Sequence, residues 1–270
     1  MNPIKISTEC SVCTKPLDGC AMREFNGVAV CSPECCSVLI NREIAQHDGS
    51  TYDSDYFMRG RETGKSLYED YRWLPEATLS MVAQVIGHLR IAHDDTVLDF
   101  GCARGYVVKA FREMGYDARG VDVSEWAIRN ADENTKPYLQ RTTDAPALGE
   151  HEFDWVIAKD VLEHIEEVRT TIDTLMKCAK KGVFVVVPLS LSDGQPYVIL
   201  PYEKDVTHFW RLTLPTWAAM FMRPGWTVEA SYRVPGIKGH WYKEGWEWGN
   251  GFIVARRVEC YDKREEAVCR

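Results

Sequence analysis

The chain has 270 residues, of which 45% are hydrophobic and 27% are charged, and its formal net charge at pH 7 is −8. This length can bury a large core and allows one large domain or two unequal ones. The negative charge argues against a broad electrostatic grip on nucleic acid, although a local basic patch stays open. No apolar run reaches the roughly 20 residues of a membrane span, and the N-terminus has no signal-peptide core, so we expect a cytoplasmic protein with no membrane partner.

Cysteines are concentrated at the N-terminal end of the chain. Without a signal peptide, metal binding explains such a cluster better than disulfide bonds do. Cys10 and Cys13 form a C-x2-C pair, and Cys31 and Cys35 form a C-x3-C pair. Four thiolates with this spacing are typical of a closed structural zinc site. The alternative is a set of free thiols.

The stretch "FNGVAVCSPECCSVLINRE" resembles the small treble-clef zinc fingers of the TRASH and YHS type. In those fingers a hairpin supplies the third cysteine and a short helix the fourth, so Cys20 and Cys36 would be spare. The resemblance implies a Zn²⁺ ion that folds a module at residues 1–47 and takes no part in catalysis. Such a module would recruit a nucleic acid or protein partner, or cover the substrate cleft.

The composition changes near residue 48. The stretch that follows is polar and turn-rich, and it lacks apolar periodicity, so we assign residues 48–78 to a linker. Strand and helix patterns alternate from there to residue 258, which implies right-handed βαβ units and a mostly parallel sheet. The stretches "WTVEASYRV" and "GFIVARRVE" have no helical pattern between them and predict an antiparallel pair at one edge. The sequence therefore predicts an α/β, Rossmann-like fold with a tail at residues 259–270.

A small-residue turn, "DFGCARG", follows the first predicted strand of this region and precedes a helix. Gly101 and Gly105 leave room where the backbone turns or a ligand approaches. The turn matches neither the dinucleotide fingerprint nor the phosphate-binding loop. Asp122 ends the next strand, where a carboxylate can accept both ribose hydroxyls of a nucleoside. A nucleoside held without a pyrophosphate grip indicates S-adenosylmethionine.

The segment "VLDFGCARGYVVKAFREMGYDARGVDVS" resembles the first two motifs of class I S-adenosylmethionine-dependent methyltransferases. The stretch "HEFDWVIAKDVLEHI" is similar to their fourth-strand motif, and the last two strands are similar to their terminal hairpin. The resemblance covers roughly residues 50–258. It implies a seven-stranded, mostly parallel sheet with a terminal antiparallel hairpin, a methyltransferase domain at residues 79–258 and S-adenosylmethionine as cofactor.

The same resemblance implies a set of cofactor-binding residues. These are Asp99, Gly101, Cys102 and Gly105 around the methionine half, Asp122 at the ribose, Val123 and Asp144 at the adenine, and Lys159 and Asp160 beside the sulfonium. Ala103 stands where the family prefers glycine. In relatives, the segment before the domain closes over the cofactor, so Tyr56, Arg61 and Tyr71 are candidates for contact with the methionine carboxylate or the acceptor.

Histidine is the natural base near neutral pH, and two histidines are candidates. His208 is the favoured one, because Asp205 lies three residues earlier in a "DVTH" stretch that resembles a feature of methyltransferases acting on small metabolites. His164 belongs to the "DVLEH" motif, where a structural or gating role is about as plausible. The tryptophans of the C-terminal region would stack on an acceptor or cap the hairpin. These are Trp241, Trp246 and Trp248.

The leading hypothesis is a methyltransferase that acts on oxygen or nitrogen of a small-molecule acceptor, such as a sugar, a sugar nucleotide or another metabolite. A macromolecular methyltransferase recruited by the zinc module is an alternative. The chain has neither the [DN]-P-P-[YFW] motif of amino-directed DNA enzymes nor the Pro-Cys nucleophile of cytosine-C5 enzymes, which disfavours DNA. A regulatory protein that binds the cofactor without catalysis is a third reading.

Overall fold

The computed structural model of the chain describes residues 49–142, 148–199, 205, 207–238 and 247–258, together with the backbone of residues 23–25 and 28–30. Strands β1 (Arg23–Phe25) and β2 (Val28–Val30) pair antiparallel. Several predicted site residues lie outside the described residues. They are Cys10, Cys13, Cys20, Cys31, Cys35, Cys36, Asp144, Trp241 and Trp246.

A seven-stranded sheet in the order β5-β4-β3-β6-β7-β9-β8 forms the centre of the fold. Strand β9 is antiparallel to both of its neighbours, whereas the other adjacent pairs are parallel. The predicted mostly parallel sheet with antiparallel end strands is confirmed, and β9 lies between β7 and the edge strand β8. The strands are β3 (Thr96–Phe100), β4 (Asp117–Asp122), β5 (Leu139–Arg141), β6 (Phe153–Lys159), β7 (Ala179–Pro188), β8 (Trp226–Ser231) and β9 (Asn250–Arg257).

The near-continuous β-branched run of β7 is explained by burial on both faces of the sheet. Val183, Val185 and Val187 belong to one hydrophobic layer, and Phe184 and Val186 belong to the other. All five side chains are buried. Such two-sided burial is expected for a strand in a sheet covered by helices on both faces.

Helices cover both faces of the sheet. One hydrophobic layer contains buried residues of the helices Val168–Cys178 and Leu214–Ala219, and the other contains buried residues of the helices Pro75–Leu89 and Tyr106–Glu113. Among the helices that the structure describes, none is long and apolar enough to cross a membrane. The helices are α1 (Ser54–Met58), α2 (Gly60–Thr63), α3 (Pro75–Leu89), α4 (Tyr106–Glu113), α5 (Glu125–Arg129), α6 (Val168–Cys178) and α7 (Leu214–Ala219).

The segment before the sheet contains two short helices that the polar composition of residues 48–78 did not indicate. Asp53 caps α1, because its Oδ1 accepts a hydrogen bond from the backbone N–H of Tyr56 at 3.0 Å. Tyr56 and Phe57 are buried, at 4% and 5% exposure. Two large aromatic side chains therefore anchor this segment, which we call the cover (residues 49–73), although its sequence shows no helical period.

Candidate active site

Three parallel strands end side by side where the order of the sheet reverses. Strand β4 pairs with one edge of β3, and β6 pairs with the other. Ligands of open α/β sheets bind outside the carboxyl ends of the strands at such a point. A cavity of about 420 Å³ lies there, between the strand ends and the cover. Its volume is within the range of about 300–1,000 Å³ that is usual for small-molecule sites.

The turn after β3 forms one wall of the cavity, and two glycines shape it. Gly101 and Gly105 have φ values of +79° and +73°, in the left-handed region that favours glycine. A Cβ atom on Gly101 would collide with the side chain of Val161, and one on Gly105 would lie 2.6 Å from Leu139 Cδ1. Both glycines are therefore required by packing as well as by backbone conformation.

The structure also explains two further residues of the turn, Cys102 and Ala103. Cys102 is buried against the backbone of β4, so that a Cβ on Gly120 would lie 2.7 Å from its Sγ. Burial and the nearby carboxylates raise the pKa of the Cys102 thiol well above its ordinary value, which does not suit a nucleophile. Ala103 has a φ of +47°, which explains why glycine would be favoured at this position.

Asp122 ends β4 and faces the cavity. Its Oδ2 accepts a hydrogen bond from the Ala103 N–H at 2.7 Å, and its Oδ1 accepts one from the Ser124 N–H at 2.7 Å. Burial raises the pKa of Asp122, and these backbone donors oppose the shift because they stabilise the carboxylate. A carboxylate has about four acceptor positions, so these two bonds leave capacity for a ligand.

Asp99 lies at the end of β3 beside Asp122 and also lines the cavity. It is 4% exposed. Burial, helped by the negative charge of Asp122 and opposed by Lys159, raises the pKa of Asp99 to about 7. A positively charged ligand group next to this carboxyl would stabilise its ionised form.

Asp160 follows β6 and lies between two lysines. Its Oδ2 accepts a hydrogen bond from Lys159 Nζ at 2.7 Å, and its Oδ1 accepts one from Lys238 Nζ. Burial acts to raise the pKa of Asp160, but the two ammonium groups hold it well below its ordinary value. Lys159 and Asp160 line the cavity as an ion pair, and Lys238 also donates to Asn250 Oδ1 at 3.1 Å.

The cover forms the opposite wall of the cavity with aromatic side chains. The Phe57 ring stacks on Trp126 of α5, with centroids 5.5 Å apart and an interplanar angle of 14°. Backbone contacts fix the cover at both ends, since Ser124 Oγ donates to the Tyr52 carbonyl at 2.6 Å and Arg104 donates to the Tyr71 carbonyl at 3.0 Å. The cavity-lining aromatic residues of the cover are Tyr52, Tyr56, Phe57, Tyr68 and Tyr71.

A polar cluster, which we call the His164 cluster (His164, Asp205, Thr207 and His208), lies at the β6 side of the cavity. His164 lines the cavity, and its Nδ1 lies 2.6 Å from Thr207 Oγ1. Thr207 Oγ1 donates to Asp205 Oδ1 at 2.5 Å. The His208 ring lies 4.4 Å from the His164 ring, and its Nε2 lies 3.9 Å from Asp205 Oδ2. His164 is thus the member that faces the cavity directly.

Glu163 joins two histidines of this cluster in a group of three side chains that could hold a metal ion, and it is the one such group found among the described residues. One atom from each of Glu163, His164 and His208 lies within 4.8 Å of the others. Glu163 is 1% exposed, and its Oε2 has no hydrogen-bond partner among the described residues. Burial and the charge of Asp160 raise the pKa of Glu163, so a cation bound there would have to displace a proton.

The structure brings most of the described predicted site residues to one cavity. Those that line it are Asp99, Gly101, Cys102, Asp122, Val123, Lys159, Asp160 and His164. Gly105, Asp205 and His208 lie behind this lining. Arg61 is not among the lining residues, and its guanidinium pairs with Glu69 on the surface at 3.2 Å.

Some residues of the site were not anticipated from the sequence. Tyr52 and Tyr68 line the cavity, and Lys238 reaches Asp160 from a loop 78 residues away. The density of tyrosine in the cover was a usable signal for the first two. A single lysine in a loop carries no such signal, because only the fold brings it to Asp160.

Known proteins share this architecture. The Ubiquinone biosynthesis O-methyltransferase of Nitrosospira multiformis is 27% identical over 43% of this chain and 51% of its own length, so the chain spans about half of that relative. A chain from the complex between the Haloferax volcanii Trm112 methyltransferase activator and a methyltransferase shares the fold, with 15% identity, a TM-score of 0.56, and coverage of 80% of this chain and 100% of that one. The plantazolicin methyltransferase BpumL in complex with SAH is also similar in fold, with 12% identity, a TM-score of 0.55, and coverage of 82% and 96%.

The family model described as "Methyltransferase domain" matches residues 75–231. This range contains β3 to β8 and all of the lining residues from β3 onward. It extends over more than half of the 270 residues. The chain belongs to this methyltransferase-domain family.

Proposed function

We propose that the chain is an S-adenosylmethionine-dependent methyltransferase that acts on oxygen or nitrogen of a small-molecule acceptor. The observation that carries the proposal is the position of Asp122, a buried carboxylate that faces the cavity from the end of the second strand of the family's fold. Membership of the methyltransferase-domain family supports the same reading. The name of the relative from Nitrosospira multiformis supports oxygen as the acceptor atom.

The residues present fit this cofactor. The unfilled acceptor positions of Asp122 suit ribose hydroxyls, and the bare turn at Gly101 gives the methionine half a close approach to the backbone. Asp99, with its pKa near neutrality, suits a positively charged neighbour. The tyrosine rings of the cover present π faces that attract cations such as a sulfonium. The cofactor, when bound, supplies an electrophilic methyl group.

We assign the proton acceptor for a hydroxyl substrate to His164. This histidine lines the cavity, whereas His208 is not among the lining residues and has its Nε2 at 3.9 Å from Asp205 Oδ2. A general base has to come within hydrogen-bond reach of the proton it removes, so the cavity-facing ring is the better placed. The adjoining wall of the cavity carries the Lys159–Asp160 ion pair, whose two charges offset each other.

Two features bear on the size of the acceptor. A cavity of about 420 Å³, which would have to hold the cofactor as well, supports a small acceptor group. The second candidate function is a methyltransferase that acts on a macromolecule and works together with a protein partner. It is supported by fold similarity to a chain from a complex with a methyltransferase activator.

Transfer of a labelled methyl group separates these candidates. Purified chain is incubated with S-adenosylmethionine tritiated at the methyl group and with an extract of the cells in which the protein is native. Label in the fraction below about 3 kDa supports the small-molecule acceptor, and label in RNA, DNA or protein contradicts it. Binding of S-adenosylhomocysteine with no transfer to any fraction would favour a regulatory protein without catalysis.

We also propose a structural zinc ion held by Cys10, Cys13, Cys31 and Cys35. The spacing of the thiols supports it, as does the antiparallel β1–β2 pair that ends at Val30, directly before Cys31. Stoichiometric zinc is expected by elemental analysis of the purified chain. Cys10→Ala/Cys13→Ala should lose the metal, and a variant that keeps both fold and metal would contradict the assignment.

A further inference from the structure

Four side chains form one continuous hydrogen-bonded path from the cover to the cavity. The Tyr56 hydroxyl donates to Asp205 Oδ2 at 2.8 Å, and Thr207 donates to Asp205 Oδ1 through both its hydroxyl and its backbone N–H. The Thr207 oxygen then meets His164 Nδ1 at 2.6 Å. The positions of the protons along this path determine which nitrogen of His164 can accept a proton.

Asp205 fixes the direction of the first bonds. It is 5% exposed, and burial acts to raise its pKa. The positive charge of His208 and His164, when these rings are protonated, acts with the Thr207 donors to hold the pKa of Asp205 below its ordinary value. With neutral rings, the three hydrogen bonds from Tyr56 and Thr207 still stabilise the carboxylate. Asp205 is therefore an ionised carboxylate at neutral pH, and an ionised carboxylate accepts hydrogen bonds without donating any.

Thr207 has one hydroxyl proton, and it donates this proton in a hydrogen bond to Asp205 Oδ1. A hydroxyl offers one donor and two acceptor positions. Because its one hydroxyl proton is already engaged in the bond to Asp205, Thr207 Oγ1 can only accept a hydrogen bond from His164. The Tyr52 hydroxyl is also hydrogen-bonded to Thr207, and burial keeps that phenol protonated by raising its pKa. Thr207 Oγ1 is thus the acceptor in its hydrogen bond with His164 Nδ1.

We infer that Asp205 and Thr207 are positioning residues that hold His164 in the tautomer with its proton on Nδ1, so that Nε2 is the proton-accepting atom of the site. This inference rests on the proposed function for its catalytic meaning. With the cofactor bound, the acceptor O–H proton would pass to Nε2 while the acceptor oxygen bonds to the methyl carbon, and the bond from that carbon to the sulfonium sulfur would break, so that S-adenosylhomocysteine is the leaving group. The resulting imidazolium is stabilised by Asp205 through Thr207, and its proton leaves to solvent after product release.

Three side chains lie close to the His164 ring on the side away from Thr207 or against its faces. Nε2 lies 4.0 Å from Glu163 Oε1, and the His208 and Tyr52 rings pack beside the imidazole with centroids 4.4 Å and 5.9 Å away. Asp205 lies behind Thr207, on the side of the ring that carries Nδ1. The titratable groups that the described residues place against His164 include Glu163, His208 and Tyr52, and Asp205 reaches it through Thr207.

The tautomer can be measured directly. Long-range ¹H–¹⁵N correlation spectra of the full chain, labelled at histidine nitrogen, distinguish protonated from unprotonated ring nitrogens. The chain has 7 histidines, and the signals that disappear in His164→Gln belong to His164. Near pH 7.5, His164 should carry its proton on Nδ1. A His164 protonated on Nε2 alone would overturn the inference.

Variants of Thr207 test the positioning role. Thr207→Val removes the hydroxyl at nearly constant shape, and methyl transfer in the labelled-extract assay should fall about 10- to 100-fold, with the His164 tautomers mixed. Thr207→Ser keeps the hydroxyl and should retain both the rate and the Nδ1–H signature. Thr174→Val, on α6 outside the cavity lining, is the matched control and should behave as wild type. A Thr207→Val variant with an unchanged His164 spectrum would also overturn the inference.

Titration with S-adenosylhomocysteine tests the proposed function separately from the positioning role of Asp205 and Thr207. Thr207→Val should bind it as wild type does, because the hydroxyl points to Asp205 and His164. Failure of the wild-type chain to bind S-adenosylhomocysteine would remove the proposed function, while the tautomer would still be decided by the spectra. Normal binding together with an Nε2-protonated His164 would remove the positioning role alone.

Discussion

The hydroxyl of Tyr56 donates a hydrogen bond of 2.8 Å to Asp205 Oδ2, across 149 residues of sequence. Both residues are buried, at 4% and 5% exposure. The bond joins the cover to the loop that follows β7, and the cavity lies between these two parts of the chain. This hydrogen bond therefore holds the cover over the cavity and also positions Asp205 of the His164 cluster.

Removing that contact should loosen the cover. Tyr56→Phe is expected to lower the free energy of unfolding by about 1–3 kcal/mol, because a buried hydrogen bond to a charged group is lost and Asp205 loses a donor. Backbone amides of residues 54–58 should exchange faster with solvent than in wild type. Tyr138→Phe, at a ring that is 37% exposed, should change neither quantity. Equal exchange rates in Tyr56→Phe and wild type would show that the cover is held by its aromatic packing alone.

Glycine at position 101 can be tested against a matched glycine elsewhere. Gly64 has a similar φ of +72° with no atom within 4 Å of a built Cβ, whereas a Cβ on Gly101 would collide with Val161. Gly64→Ala should therefore lower the free energy of unfolding by about 1 kcal/mol through backbone strain alone. Gly101→Ala should add about 1–3 kcal/mol of overpacking to that loss.

A second variant separates the two causes at Gly101. Gly101→Ala/Val161→Ala should recover part of the loss, because the colliding methyl groups are gone. Equal destabilisation by Gly64→Ala and Gly101→Ala in thermal or denaturant unfolding would contradict the close approach of Val161.

Binding of the cofactor should change the protonation state of Asp99. Its pKa in the folded protein is raised to about 7, so the carboxyl is partly protonated near neutral pH. The methionine half carries two positive groups and one carboxylate, and its net positive charge favours the ionised form of Asp99. Binding of S-adenosylmethionine should therefore release a proton below about pH 7, and affinity should rise as the pH increases through that value.

Calorimetry in buffers of different ionisation enthalpy measures that proton. Asp99→Asn should abolish the buffer dependence, because the amide does not titrate. Proton uptake on binding, or the same release from Asp99→Asn, would assign the linkage to another group.

The two histidines should differ in effect. His164→Gln is expected to reduce methyl transfer about 10²- to 10⁴-fold, the usual contribution of a general base, with cofactor affinity unchanged. His208→Gln should reduce it less, because His208 does not line the cavity. Activity should also survive EDTA, since proton transfer to His164 needs no cation. A loss that Mg²⁺ restores would instead assign Glu163, His164 and His208 to a metal ion.

The sheet was predictable because its signals are local. The β-branched run of β7 and the alternation of strand and helix patterns indicate a mostly parallel sheet, and the lack of a helical pattern between the last two strands indicates an antiparallel pair. The turn at Gly101 was predictable for the same reason, since a positive φ favours glycine. The position of β9 between β7 and β8 was not, because the sequence of β9 does not state which strands lie on either side of it.

The polar part of the site was less predictable, because it depends on contacts between distant segments. The sequence favoured His208 for its nearness to Asp205 in the chain, whereas the cavity geometry favours His164. Thr207 stood within a recognised stretch, but its bond to His164 spans 43 residues. Lys238 meets Asp160 only because the loop after β8 folds back over the end of β6.

Calorimetric titration with S-adenosylhomocysteine, of wild type and of Asp122→Ala, tests the central claim most directly. Wild type should bind at one site, and Asp122→Ala should bind about 10- to 100-fold more weakly, since each hydrogen bond to the carboxylate is worth about 1.5–3 kcal/mol. Asp117→Ala, at the exposed start of the same strand, should bind as wild type does. No binding by wild type, or equal affinity of a folded Asp122→Ala, would contradict the assignment of this cavity to the cofactor.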